Sequence, residues 1–454
     1  MSQKGVLLHI SSLEGPYGCG TLGHAAHAFA DILQKGGFSY WQVLPLCWPH
    51  AGGSPYSSPC TYLQNPLFLD LDILQEKGLL TQGELAEIKA NIPQNGASFD
   101  ALYRSREPYL RRAAARVAGT PRAAEISRFL RADNHLFEGC TFLAREKSAD
   151  ELFYLAFLQH EFRAQWQALL EHCHARGIRM IGDLPFYPDL HSSEVQYHRE
   201  SFLLRADGAP LFESGVPGDD FSDEGQHWGH PLYRNEHLRA QNYAPLLDRF
   251  THAATLYDLV RIDHFQAFLR YYAIPTGRPV REGHWEVGLG EDFLRVLTQR
   301  IPPERLIAED LGCFQQESRA LARKFNVPPM NVLQFALLGG GSAQGFEPHS
   351  LAYTGTHDCD TLVGFFTSLS QGTRAAIAAR LDEAASADPL ALARAAMRHL
   401  LRSPARRVIF QAQDLLLLGS AARMNTPGTT AGNWGWRLSP ADVESLKNLA
   451  PLWG

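Results

Sequence analysis

The chain contains no apolar run near the length that crosses a bilayer. The stretch at its start, Gly5 to Ile10, is six residues long, against about 20 for a membrane helix and about 7 to 15 for the core of a signal peptide. A cytosolic protein with no membrane contact is therefore expected. CxxC pairs are also missing. The seven cysteines (Cys19, Cys47, Cys60, Cys140, Cys173, Cys313 and Cys359) are scattered and odd in number, which argues against a disulfide framework and against a structural zinc site. The one metal-like string, His172-Cys173-His174, falls in a helical stretch where adjacent side chains diverge, so no metal is expected there. Nor is there an excess of positive charge: 42 Lys and Arg face 48 Asp and Glu, for a net charge of −6, with no basic stripe to neutralise phosphates, and nucleic acid is not an expected partner.

What the chain does have is the composition of a globular protein, 45% hydrophobic and 20% charged over 454 residues. At about 150 residues per domain this length suggests roughly three domains, although one barrel of alternating strands and helices absorbs about 200 to over 400 residues with insertions. Short β-branched and aromatic runs recur between helical-looking segments, the pattern of parallel strands joined by crossover helices. Eight such runs stand out: Val6-Ile10, Tyr40-Leu46, Arg179-Phe186, Leu259-Phe265, Leu306-Leu311, Val332-Leu338, Leu351-Thr356 and Arg407-Leu415. Their number favours an α/β fold, a (β/α)8 TIM barrel with inserted helical and loop subdomains, over an open doubly wound sheet. Residues 1–72 then supply strands one and two and a first substrate loop, 73–150 a helical insertion, and 151–454 the remaining barrel. Within the last part, 187–235 is rich in Gly, Pro, Asp and aromatics, including Glu213 to Phe221, and reads as a loop subdomain walling a cleft. Arg374 to Leu401 reads as a pair of packing helices, and Gly339-Gly340-Gly341-Ser342 as a loop without the ending of a phosphate-binding motif.

Catalytic groups of such a barrel stand at the C-terminal strand ends, and here those ends are acidic: Asp183, Asp263, Glu309 with Asp310, and His357-Asp358. A single one of these reads equally well as a salt bridge or a helix cap, but four strands delivering carboxylates to one face point to a site. Strand alternation lets only one of Glu309 and Asp310 look into the cleft. Arg261 and Asp263 are two apart and share a face, so the guanidinium is expected to lower the carboxylate's pKa and keep it ionised as a nucleophile. Glu309, among Leu306, Ile307 and Ala308, is placed to keep a proton. Two such carboxylates cleave glycosidic bonds, with retention when they stand about 5 to 5.5 Å apart. Aromatic faces for sugar rings are available at Tyr56, Trp228, Trp434 and Trp436, each more readily explained singly as packing, with the Gly and Pro flanking Tyr56 and Trp228 pointing to exposed loops.

These strings taken together resemble the amylomaltase family of 4-α-glucanotransferases (disproportionating enzymes) along nearly the whole chain. The resemblance is carried by Trp41 to Leu46, Gly53-Ser54-Pro55-Tyr56, Asn65-Pro66-Leu67, Gly182-Asp183-Leu184-Pro185, Gly215-Val216-Pro217, Trp228-Gly229 with Pro231-Leu232-Tyr233, Arg261 to Phe265, Ala308 to Gly312, Val332 to Phe335, Gly355 to Asp358, and Arg423-Met424-Asn425 through Pro427-Gly428-Thr429 to Trp434. It implies cleavage of an α-1,4 glucosidic bond by retaining double displacement and passage of the glucan to the 4-hydroxyl of glucose or a maltodextrin, with no cofactor. It also implies a nucleophile at Asp263, an acid/base at Glu309, and a third carboxylate, Asp358, that holds and distorts the donor sugar. Arg261, His264 and His357 match residues lining that subsite, and Tyr56, Asp183, Gln226, Trp228 and Asn433 match or approach substrate-contacting positions. The chain departs from the family pattern at Gln266-Ala267, Cys359, His230, Thr21 and Pro188 to Ser192, all outside the catalytic carboxylates. An α-1,4-glucan hydrolase using the same carboxylates is the nearest alternative. A binding protein on an enzyme-like barrel and a metal-dependent barrel hydrolase using His264 and His357 are more distant ones.

Overall fold

A computed structural model describes residues 2–93, 98–145, 148–218, 225–381 and 387–448. Asp219, Asp220 and Phe221 of the expected loop subdomain lie outside the described residues. Eight parallel strands form the centre: β1 (Gln3–Leu7), β2 (Tyr40–Gln42), β3 (Arg179–Leu184), β4 (Leu259–Ile262), β5 (Leu306–Ala308), β6 (Met330–Val332), β7 (Leu351–Tyr353) and β8 (Arg407–Gln411). They are ordered β5-β4-β3-β2-β1-β8-β7-β6, and a parallel bridge from Ala308 to Pro329 joins the two outer strands into a closed barrel. Alternation of side chains divides each strand between two cores. Leu7, Tyr40, Ile181, Leu259, Ile307, Met330, Leu351 and Ile409 fill the interior, while Val6, Trp41, Met180, Val260, Leu306, Ala352 and Val408 pack outward against the helices. Gly5 is required by this filling, since a Cβ there would lie 2.5 Å from Ile409 Cδ1 and 2.8 Å from Tyr40 Cβ.

The sixth strand differs from the expected run Val332-Leu338. Only Met330–Val332 is extended, and Leu333–Leu338 is a helix. Leu333 and Leu337 are four apart and both buried, whereas Leu338 is left 54% exposed. A short apolar run has no period of its own to separate the two states, and here the helical one wins.

Between β2 and β3 the chain forms helices at Leu71–Glu76, Gln82–Ala90, Phe99–Val117, Pro121–Arg131 and Asn134–Ala144, then the long helix Ala149–His174 that leads into β3. His172 and His174 leave that last helix in different directions, to Asp31 at 2.9 Å and to Asp258 at 2.9 Å. The stretch expected as loop carries regular structure instead. Phe212–Val216 and Gln226–Pro231 join Arg270–Pro275 and His284–Val287 in a four-stranded antiparallel sheet beside the barrel mouth. No helix among the described residues is long and apolar enough to cross a membrane.

Candidate active site

Arg261 anchors the site from within β4. Only 2% exposed, its Nη1 donates to both carboxylate oxygens of Asp183 at 2.7 Å and to Asp263 Oδ1 at 3.0 Å, while its Nη2 stands 3.5 Å from Glu309 Oε1. One guanidinium thus spans the ends of three adjacent strands. Burial works against its charge, yet Asp183, Glu309 and Asp263 together push its pKa upward, so it stays a cation.

Asp263 and Glu309 follow β4 and β5 directly and keep 28% and 19% of their side-chain surface open to the cleft. For Asp263 the expected lowering of pKa does not hold: burial raises it, with Asp183 and Asp358 adding to the rise, and outweighs the opposing pull of Arg261. Burial, with Asp263 and Asp358 nearby, also pushes Glu309 up to about 8 against the pull of Arg261. Asp263 has the closer guanidinium contact, so of the two groups Glu309 is the one that retains a proton at neutral pH. Its Oε2 accepts the backbone N–H of His264 at 2.5 Å. That N–H is presented by a left-handed turn, with φ of +52° at His264, a conformation that costs energy for a residue with a Cβ and is held here by the surrounding packing. Asp310 turns the other way, to Arg319 at 2.6 Å and the Met330 N–H at 3.0 Å, leaving Glu309 alone in the cleft.

Asp358 lies five residues beyond β7. Its Oδ1 accepts from Asn425 Nδ2 at 2.6 Å, and its Oδ2 lies 3.4 Å from His357 Nε2. Arg423 fixes the backbone beneath it, donating to the Asp358 carbonyl at 2.5 Å. The Tyr56 hydroxyl donates to Asp183 Oδ2 at 2.7 Å, and its ring stacks on His357 with centroids 4.9 Å apart and an interplanar angle of 17°. Across the cleft, Trp228 meets His264 edge-on at 4.8 Å and donates through Nε1 to Gln226 Oε1 at 3.1 Å. Burial pushes the His264 pKa down to about 3 and lowers that of His357 as well, so both rings are neutral. The Nε2 of His264 has no hydrogen-bond partner among the described residues.

These groups enclose a cavity of about 460 Å³ at the C-terminal end of the barrel. Of the eleven site residues that the resemblance implies, nine line it: Tyr56, Gln226, Trp228, Asp263, His264, Glu309, His357, Asp358 and Asn433; of the other two aromatics read as ring faces, Trp434 lines it and Trp436 does not. Asp183 and Arg261 lie beneath its floor, holding the lining groups in place. Asn433 reaches the cavity with its amide already committed. Its Oδ1 accepts from the Thr426 N–H at 2.9 Å and its Nδ2 donates to the Thr429 carbonyl at 3.0 Å, clamping the loop between them.

Reading by strand ends missed Asn425, Tyr187 and Asp189, which also line the cavity. Asn425 belongs to the Arg423-Met424-Asn425 string, yet nothing local signals that it reaches Asp358 across 67 positions. Besides Asp189, two departures from the family pattern face the cleft, Gln266 and the half-buried His230. Gln266 packs where Gly312, at φ of +108°, makes room: a Cβ at that position would stand 2.6 Å from Gln266 Oε1. Cys359 is buried behind, its Sγ 3.5 Å from Thr356 Oγ1.

A closed (β/α)8 barrel whose strand ends bring carboxylates and aromatic rings into one cleft defines a glycoside-cleaving barrel enzyme. A family model described as 4-alpha-glucanotransferase matches residues 8–145 and 138–443. The 4-alpha-glucanotransferase of Thermus thermophilus is 36% identical over 481 residues, covering 97% of this chain and 95% of the relative. The chloroplastic/amyloplastic 4-alpha-glucanotransferase of Arabidopsis thaliana is 34% identical over 499 residues, covering 100% of this chain and 85% of the relative. Among solved structures, the amylomaltase of Streptococcus agalactiae in complex with acarbose superposes with a TM-score of 0.92 at 28% identity, covering 99% of both chains. The chain belongs to the 4-alpha-glucanotransferase family.

Proposed function

We propose that the protein is a retaining 4-α-glucanotransferase, taking α-1,4-glucans as donors and glucose or maltodextrins as acceptors. The observation that carries this reading is the single buried guanidinium of Arg261 touching both Asp263 and Glu309, with Glu309 the better proton holder of the two. In the first step Glu309 gives its proton to the glycosidic oxygen while Asp263 attacks the anomeric carbon, forming a glycosyl ester and releasing the shortened glucan. In the second step Glu309, now ionised, takes the proton from the acceptor's 4-hydroxyl, and that oxygen displaces Asp263. Asp358, held by Asn425, is placed to bind donor hydroxyls, with Tyr56, His264, His357, Gln226 and Trp228 shaping the pocket around the ring. Protonation and nucleophilic attack complete the chemistry, so the reading calls for no cofactor.

The test is incubation with maltotriose, with products resolved by chain length over time. Transfer gives glucose and a ladder of longer maltodextrins at constant total reducing ends. Rising reducing ends with only shorter products would assign hydrolysis. We also read the protein as cytosolic: six of the seven cysteines are buried as thiols, which suits a reducing compartment.

A further inference from the structure

The N-terminal end of the barrel, opposite the cleft, holds a second recess of about 550 Å³. It is built on the first residues of four neighbouring strands: Gln3 of β1, Tyr40 of β2, Arg179 of β3 and Arg407 of β8, with Arg406 beside the last. The register sets Gln3 against Arg407 and Tyr40 against Arg179, so the composition of this floor follows directly from where each strand starts.

Arg407 shares the inward face of Ile409 and is only 6% exposed. Its Nε donates to the Tyr40 hydroxyl at 3.1 Å, its guanidinium lies over the Tyr40 ring 5.5 Å from the centroid, and the Tyr40 hydroxyl donates onward to Gln3 Oε1 at 3.0 Å. The side chain is therefore fixed by its stem side, and its two terminal nitrogens meet no carboxylate or carbonyl among the described residues. Those nitrogens open onto the recess, where an anion can reach them. The carboxylate in the recess, Asp258, is already engaged: it accepts from His174 Nε2 at 2.9 and 3.0 Å and from the Met180 N–H at 2.8 Å. Arg179 and Arg406, both exposed at the rim, bring the guanidiniums to three on a chain whose net charge is −6.

We infer that this recess binds the phosphoryl group of a small phosphate or phosphate monoester. The planar guanidinium fork suits the oxygens of a dianionic phosphoryl group, three such side chains line the recess, and the recess is within the size range of small-ligand sites. A neutral glucan gives these guanidiniums no counter-charge, so the ligand is an effector and not a substrate of the transfer reaction.

The test is calorimetric titration of the full chain with inorganic phosphate and, separately, with a hexose 1-phosphate, at constant ionic strength and with glucose and sodium chloride as controls. The comparison protein is the Arg179→Gln/Arg406→Gln double variant, whose changes lie at the rim and leave the Arg407–Tyr40–Gln3 chain intact. The expected result is saturable binding of both phosphates and of neither control, weakened about tenfold or more in the double variant, with maltotriose transfer unchanged. Equal affinity for the two ligands assigns the site to the phosphoryl group alone, and a preference for the hexose phosphate assigns it to a sugar phosphate. No saturable binding by the wild type, or equal affinity in the double variant, overturns the inference.

Discussion

Replacing Arg261 by Met removes the one cation that faces Asp183, Asp263 and Glu309 together. Asp183 suffers most, because its side chain is completely buried and two of its contacts at 2.7 Å are to that guanidinium. The Tyr56 hydroxyl, also at 2.7 Å, is left as its described polar side-chain partner. Breaking a buried pair by removing one member costs about 3–5 kcal/mol, and with three carboxylates sharing the cation the upper half of that range is expected. The loss should carry a pH signature. Without the cation the folded-state pKa of Asp263 rises further above the unfolded value, about 3.9. The native state then holds a proton that the unfolded chain releases, so the variant's stability should decline as pH rises from about 4 through the raised folded value, more steeply than that of the wild type. Transfer should fall by more than about 10², since a protonated Asp263 is no nucleophile and each pKa unit corresponds to about 1.4 kcal/mol. Urea unfolding across pH, together with maltotriose transfer rates, measures both quantities. A variant within about tenfold of wild-type activity, less than about 1 kcal/mol less stable and no more pH-sensitive would refute the assignment of Arg261 as the electrostatic centre.

Four further outcomes follow from the same geometry. Glu309→Gln should lose about 10² to 10⁴ in transfer from maltotriose, and a maltosyl fluoride, whose leaving group needs no proton, should restore the first half-reaction in a fluoride-release assay. In the wild type, activity should fall as pH rises through about 8, where Glu309 loses the proton it donates, and should fall again on the acid side as Asp263 is neutralised, giving a bell-shaped profile of kcat/KM. Tyr56→Phe keeps the stack on His357 but removes the bond to Asp183, and should cost about 1.5–3 kcal/mol in stability by denaturant titration, the range for a hydrogen bond to a charged group. Gly5→Val should destabilise by about 1–3 kcal/mol, because its Cβ alone would lie 2.5 Å from Ile409 Cδ1 inside the barrel, and a shift in urea midpoint without loss of slope would register it.

Much of the barrel was legible because its strands are buried on both faces, so runs such as Val6-Leu7-Leu8 and Val408-Ile409-Phe410 are apolar without interruption and a charged residue at their ends stands out. Asp183, Asp263, Glu309 and Asp358 could be read that way, since each follows or ends its own strand. The sixth strand could not, because Val332 to Leu338 is too short and too uniformly apolar to reveal where extension gives way to helix. The antiparallel sheet beside the mouth was masked by composition: Glu213-Ser214-Gly215-Val216 and Gln226-His227-Trp228-Gly229 have turn residues within their strands, and while the two pair with each other, the partner on the far side of the first is Arg270–Pro275, about sixty residues on. Least legible was the balance of charge. Adjacency of Arg261 to Asp263 suggested a depressed pKa, but the sequence carries no measure of burial, and the second claimant on the guanidinium, Asp183, is 78 positions away. Asn425 is invisible for the same reason, its partner Asp358 lying on another strand end.

The central claim, that Asp263 becomes covalently glycosylated, is tested most directly by mass spectrometry of the Glu309→Gln variant incubated with maltosyl fluoride and digested after rapid acid quenching. The account predicts a peptide containing Asp263 heavier by one maltosyl unit, and no such adduct when Asp263→Asn is added. Fluoride release with no adduct on that peptide, or an adduct on Asp358 or Asp183 instead, would contradict it.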